Sequence, residues 1–201
     1  MVEDSFLTIT DAVEVIYKLK SSKFLSYAYP ISSEEEVAPL LDVLCKKYYD
    51  ATHHCYAWRI GAKGEKFRAN DDGEPSSTAG KPILGQMLSR QVTNCLVVVV
   101  RYFGGTKLGV SGLIEAYGDS AGEVLDAANI VERTVDVVLN VAFSYISMNG
   151  VMKAIKEMQP RITKQEFDNL CTMQLVIRVS ESQMLIAKLE GVEGVTVEIL
   201  E

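Results

Sequence analysis

The apolar positions along the chain change period several times, and each change marks an element. Residues 12–17 and 24–29 are β-prone stretches on either side of Lys20-Ser21-Ser22-Lys23, which predicts two strands joined by a turn. Val37, Leu40, Leu41, Leu44 and Tyr48 then fall on one helical face. Ahead of them Ser33-x-x-Glu36 has capping-box spacing, with Glu34 and Glu35 in the first turn. Pro39 fits poorly inside that helix, because it lacks an N–H and its ring clashes one turn back. The helix therefore starts near Pro39 or is kinked there. Residues 55–60 read as a strand ended by Gly61. Residues 61–78, rich in Gly, Asp, Asn and Ser, predict a long loop with a short strand at Lys66-Phe67-Arg68. A helix over 78–90 turns Ile83, Met87 and Leu88 inward, and the β-branched run 95–103 reads as a buried central strand. Gly104-Gly105 breaks that strand, and Ser111 opens a long helix. Its apolar face is Leu113, Ala116, Tyr117, Ala121, Val124, Leu125 and Ala128, a close fit to a 3.6-residue period.

From about Thr134 the pattern is simpler. A strand over 135–143 precedes a helix face of Met148, Val151, Met152 and Ile155 that stops before Pro160. Residues 162–167 and 173–179 form two strands around Asp168-Asn169. Ser180-x-x-Gln183 caps a helix carrying Leu185, Ile186 and Leu189 that ends at Gly191, and Val195, Val197 and Ile199 alternate in a last strand. The order βαββαβ is a ferredoxin-like signature. The expected fold is therefore α+β, with an N-terminal domain over 1–133 and a C-terminal ferredoxin-like domain over 134–201.

Composition narrows the class of molecule. The chain has 201 residues, 48% hydrophobic and 23% charged, enough apolar material for a packed core. Its longest apolar run, 96–100, is far too short to span a bilayer, and Met1-Val2-Glu3-Asp4-Ser5 lacks the basic start of a secretory signal. Cys45, Cys55, Cys95 and Cys171 have no C-x-x-C spacing and read as reduced thiols, so a cytoplasmic location is expected. The net charge of −7 excludes a dedicated, strongly basic nucleic-acid binder, and no DNA partner is expected. Residues 53–119 nevertheless hold eight Lys or Arg against six Asp or Glu, a locally basic stretch in an acidic protein.

Three segments of that stretch carry candidate chemistry. In residues 101–109 a strand runs into a Gly-rich turn and then a helix. Arg101, Tyr102, Gly104, Gly105 and Lys107 make it a candidate cradle for phosphate or RNA backbone, or a tight connection with solvated basic residues. It matches neither a Walker A loop nor a dinucleotide fingerprint. Residues 70–82 hold Asp71, Asp72 and Glu74, candidate acids or bases, in a turn without the spacing of a metal loop. Asp71 and Asp72 are expected to bond loop backbone, while Ser76, Ser77 or Thr78 caps the next helix. Ser76 and Thr78 also join the candidate phosphate or nucleic-acid set. His53-His54-Cys55 contains the chain's two histidines; His53 and Cys55 share one strand face and His54, a further candidate acid or base, takes the other. Trp58 with Tyr56, and Tyr102 with Phe103, are candidate base-stacking pairs as well as core residues. No metal and no cofactor is expected.

Read together, residues 52–58, 71–80 and 98–109 closely resemble the YigZ/IMPACT family, over about residues 12–130. Ser77 stands where that family usually has Gly. The resemblance implies an N-terminal α/β sandwich similar to the second domain of a small-subunit ribosomal protein, and a small second domain like that of bacterial members. It implies a link to translational control, which eukaryotic relatives exert through an extra N-terminal domain not expected in this chain. Three functions stay open. One is a translation-linked module binding RNA or the ribosome; another is an enzyme acting on a phosphorylated small molecule or nucleotide. The third is a protein–protein interaction module.

Overall fold

The protein is described from a computed structural model that covers residues 4–200. Its chain forms two compact units, Phe6–Arg133 and the residues from Thr134 onward together with Asp4 and Ser5.

The first unit is built on a five-stranded sheet of β2 (Val13–Leu19), β3 (Ser22–Pro30), β4 (His53–Ile60), β5 (Lys66–Asn70) and β6 (Cys95–Tyr102). Their order is β2-β3-β6-β4-β5, and every pairing is antiparallel. The turn predicted at Lys20 and Ser21 joins β2 to β3 as a hairpin. Strand β6 sits at the centre, and all six residues from Cys95 to Val100 are buried. Its continuous apolar run follows from cover on both faces, because alternate residues point to opposite sides. On one side Val97 and Val99 pack with Phe24, Cys55 and Ala57 against helices α2 (Gly80–Ser89) and α3 (Gly109–Ala127). On the other, Leu96, Val98 and Val100 pack with Leu25 and Trp58 against Val37 and Leu44 of α1 (Val37–Lys47).

Helix α1 follows a 3-10 turn, Glu34–Glu36, whose Glu36 carboxylate accepts the Ser32 and Ser33 N–H groups at 2.9 and 3.1 Å. Pro39 lies in its first turn, where the missing N–H has no intrahelical partner to lose. In α3 the predicted face is buried from Leu113 to Leu125, with Ala128 partly buried at the end. One reading needs correction in α2. Leu88 is exposed, not inward, since it lies a third of a turn beyond the buried Met87. Within 61–78 the short strand expected at Lys66-Phe67-Arg68 is β5, which runs on to Asn70 and pairs with β4. Two short strands escaped the reading altogether: β1 (Ser5–Ile9) and β7 (Ile130–Thr134) pair with each other.

The second unit has β8 (Asp136–Phe143), α4 (Met148–Met158), β9 (Arg161–Phe167), β10 (Cys171–Arg178), α5 (Val179–Glu190) and β11 (Val195–Leu200). The element order is βαββαβ, and the antiparallel sheet runs β11-β8-β10-β9. Leu139, Val141 and Phe143 of β8 meet Val151 of α4 and Leu185 and Leu189 of α5 in its core. Gln159, left-handed at φ 50°, ends α4 just before Pro160. Ser180 does not cap α5. The helix starts at Val179 with Arg178 at its N-cap, and the Ser180 hydroxyl donates to Asp4 Oδ2 at 2.6 Å. All four cysteines are free; Cys45 is exposed and the others buried. Among the described residues, no helix is long and apolar enough to cross a membrane.

Candidate functional site

The three motif segments meet on the α3 side of the first sheet. His53 on β4 lies opposite Arg101 on β6, so their side chains share a face. The turn after β5 folds back over both.

Asp71 organises that turn. One carboxylate oxygen accepts the Ala79 and Gly80 N–H groups at 3.0 and 2.8 Å, and the other accepts Ser77 N–H at 2.8 Å. Asp71 thus satisfies the orphan amides at the start of α2 from eight and nine residues away. The expected caps do not act: Ala79 stands at the N-cap, and the Thr78 hydroxyl donates to the Pro75 carbonyl at 2.6 Å. Burial opposes the charge on Asp71, but the three N–H donors and Lys81 outweigh it and hold its pKa below the ordinary value. Ser77 has φ 66°, in the left-handed region that glycine adopts at no steric cost.

Asp72 serves both histidines. Its backbone carbonyl accepts a hydrogen bond from His53 Nδ1 at 2.7 Å, and its carboxylate accepts the His54 N–H at 2.6 Å. Because a carbonyl only accepts, His53 Nδ1 carries a proton. His53 Nε2 then faces Glu74 Oε1 at 3.7 Å. Glu74 is buried, and the same oxygen accepts Arg101 Nη1 at 2.5 Å and the Tyr117 hydroxyl at 2.8 Å. The single proton of the Cys55 thiol has two acceptors in reach, the Asp71 carbonyl at 3.0 Å and Tyr117 Oη at 3.3 Å. Burial pushes the Cys55 thiol and the Tyr117 hydroxyl well up, so both stay neutral donors at physiological pH. Arg101 is 5% exposed, its guanidinium packs on the rings of Phe24 and Phe103, and its Nε has no partner among the described residues.

Above this cluster opens a cleft of about 380 Å³. Its polar lining is Thr52, His53, Glu74, Arg101 and Lys107; Pro75, Phe103, Leu108, Val110 and Leu113 supply apolar wall. At its rim α3 begins behind Leu108, with no side chain capping it among the described residues. Lys107 is exposed and makes no ion pair among those residues.

The candidate residues therefore divide. Glu74, Arg101 and Lys107 meet at the cleft. Tyr102 points to the opposite face, where its hydroxyl donates to Asp50 Oδ1 at 2.7 Å and its ring meets Tyr48 edge-on. Gly104 is pressed against backbone of this chain, since a Cβ there would lie 2.0 Å from Ser21, whereas Gly105 (φ 85°) borders open space. Ser76 is exposed, and Thr78 is buried beneath the turn. His54 Nε2 is buried without a partner away from the cleft, and Trp58 is core. The acid–base candidates His54, Asp71, Asp72 and Glu74 consequently do not form one constellation. The histidine at the cleft is His53. Its signal was strand alternation, which put His53 and Cys55 on one face. Tyr117 was read as core only, although a buried phenol needs a polar partner. Among the described residues no group of three or more His, Cys, Asp or Glu is placed to hold a metal ion.

The family profile described as the Impact N-terminal domain matches residues 20–125, and so spans the whole cleft. The IMPACT family member YvyE of Bacillus subtilis (strain 168) is 36% identical over 155 residues, which cover 77% of this chain and 71% of that relative. This chain belongs to the IMPACT family. The IMPACT family member YigZ of Escherichia coli (strain K12) extends the match to both units, at 27% identity over 98% of each chain. A crystal structure described as a hypothetical protein shares the fold over 99% of this chain and 98% of its own, at 27% identity and a TM-score of 0.72. The fold of this chain is thus α+β in two units along the described length.

Proposed function

We propose that this IMPACT-family chain is a cytoplasmic, translation-linked module that binds structured RNA, the ribosome included, through the Gly104–Lys107 turn and the start of α3. The observation that carries the reading is Lys107, exposed and without an ion pair among the described residues, beside the start of a 19-residue helix that none of their side chains caps. Helix-start amides and an exposed cation together suit a phosphate. The resemblance of the motif segments to a family tied to translational control supports the same reading. Arg101 does not supply the cation, because Glu74 already offsets it.

The test is co-sedimentation with ribosomes and their subunits over a salt series, comparing wild type with Lys107→Ala. Salt-sensitive association weakened in the variant is the expected result. No association at low salt overturns the reading.

One observation favours a second reading, an enzyme acting on a phosphorylated small molecule. His53 Nε2 is oriented toward the cleft beside Glu74, with Nδ1–H tied to the Asp72 carbonyl, a geometry suited to proton transfer. A thermal-shift screen of phosphorylated metabolites against wild type and His53→Gln tests it, and absence of any shift counts against it.

A further inference from the structure

We infer that the cleft between the Asp71–Ala79 turn and α3 accepts one unpaired nucleotide, with its phosphate at the α3 N-terminus and its base on Phe103. The inference rests on the RNA reading above and names what that site holds.

Three separate features converge on this ligand. The first is an anion end. Lys107 and the uncapped start of α3 stand at the rim. Arg101, more than nine-tenths buried, lines the same cleft; Glu74 offsets its charge, so what it adds is Nε, a donor without a partner among the described residues.

The second is a flat apolar platform. Phe103 is 46% exposed although it follows directly on a buried strand. One side of its ring is held by the Arg101 guanidinium, at 5.6 Å from the centroid. That contact fixes the ring and leaves it to present an edge of the cleft, where stacking on a base removes apolar surface from water. Pro75, Val110 and Leu113 complete an apolar wall. A site for a bare phosphate has no use for these walls, and double-helical RNA cannot enter a cleft of about 380 Å³. An unpaired base, free of its partner, can.

The third is a floor of acceptors. His53 Nδ1 is committed as donor to the Asp72 carbonyl, so the matching tautomer of the neutral ring has Nε2 as its acceptor, and the Glu74 carboxylate stands 3.7 Å from it. Acceptors at the floor suit the N–H and amino groups on the edge of a purine such as guanine. A fatty acid or an aliphatic carboxylate has nothing to donate to them.

GMP is the probe, with ribose 5-phosphate as the same phosphate without a base. Calorimetry and ¹H–¹⁵N chemical-shift mapping on the full chain measure binding to wild type, Phe103→Ala and Lys107→Ala. Both side chains are exposed, and circular dichroism confirms that the variants fold. GMP should bind more tightly than ribose 5-phosphate, shift the amides of residues 103–113, and lose about fivefold or more in each variant. Equal binding of the two probes, or GMP affinity unchanged in Phe103→Ala, overturns the inference. Ribosome association lost in Lys107→Ala without any GMP binding overturns the nucleotide cleft alone and keeps the RNA reading. GMP binding that weakens in both variants without ribosome association supports the cleft and overturns the RNA reading.

Discussion

At the scale of single residues, Asp71 and Arg101 hold the cleft in shape by different physics. Asp71 replaces three missing backbone partners at once. Asp71→Ala should cost about 1–2 kcal/mol, the range for losing a helix cap, measured by urea unfolding. Its pH dependence has a definite sign. The folded pKa is lowered, so the stabilisation is present above the ordinary Asp value near about 4 and is lost as pH falls through the lowered value. Asp71→Asn should therefore flatten the acid side of the stability profile, and an unchanged profile would rule out the cap. Arg101 acts through Glu74. Arg101→Met leaves a buried carboxylate without its cation and should destabilise by about 3–5 kcal/mol. Adding Glu74→Gln to that variant removes the stranded charge and should restore much of the loss. If the double variant is no more stable than Arg101→Met alone, the ion pair is not what holds the turn.

At the scale of elements, what was legible depended on whether the signal was local. Helix α3 and strand β6 are long and strongly periodic, and both lie where the pattern placed them. Strands β1 and β7 have five residues each and pair across most of the unit's length, so no local period announces them. The start of α2 was misread because its capping acceptor comes from eight residues upstream, not from the residue before the helix. Strand alternation separated His53 from His54 correctly. It does not say over which face the following turn folds, and that alone decides which histidine meets Glu74. Gly104 teaches the same lesson. The Gly-Gly break was visible, but the close approach it permits is to Ser21 and Ser22 of the hairpin between β2 and β3. Gly104→Ala should force that hairpin away from the end of β6 and lower the melting temperature clearly. Gly105→Ala meets no neighbour and should cost only the roughly 1–2 kcal/mol of a left-handed backbone. A Gly104→Ala variant as stable as Gly105→Ala would refute the steric account.

At the scale of the whole molecule, the RNA binding proposed above sets a chain of net charge −7 against a polyanion in its own average field. Few phosphates can then be engaged, and each must be met by a cation standing clear of nearby carboxylates. Lys107 meets that condition, whereas Lys164 of the second unit is neutralised by Glu166 at 3.0 Å. The salt dependence of ribosome association separates the two. Each phosphate neutralised contributes a slope of about −0.7 to −0.9 to the logarithm of the association constant against the logarithm of salt concentration. Lys107→Ala should make the slope shallower by about one such step, and Lys164→Ala should leave it unchanged. A general loss of attraction would lower affinity in both variants and change neither slope by a full step. A slope near zero in the wild type would mean that phosphates are not the contact, and the partner would then be sought among proteins.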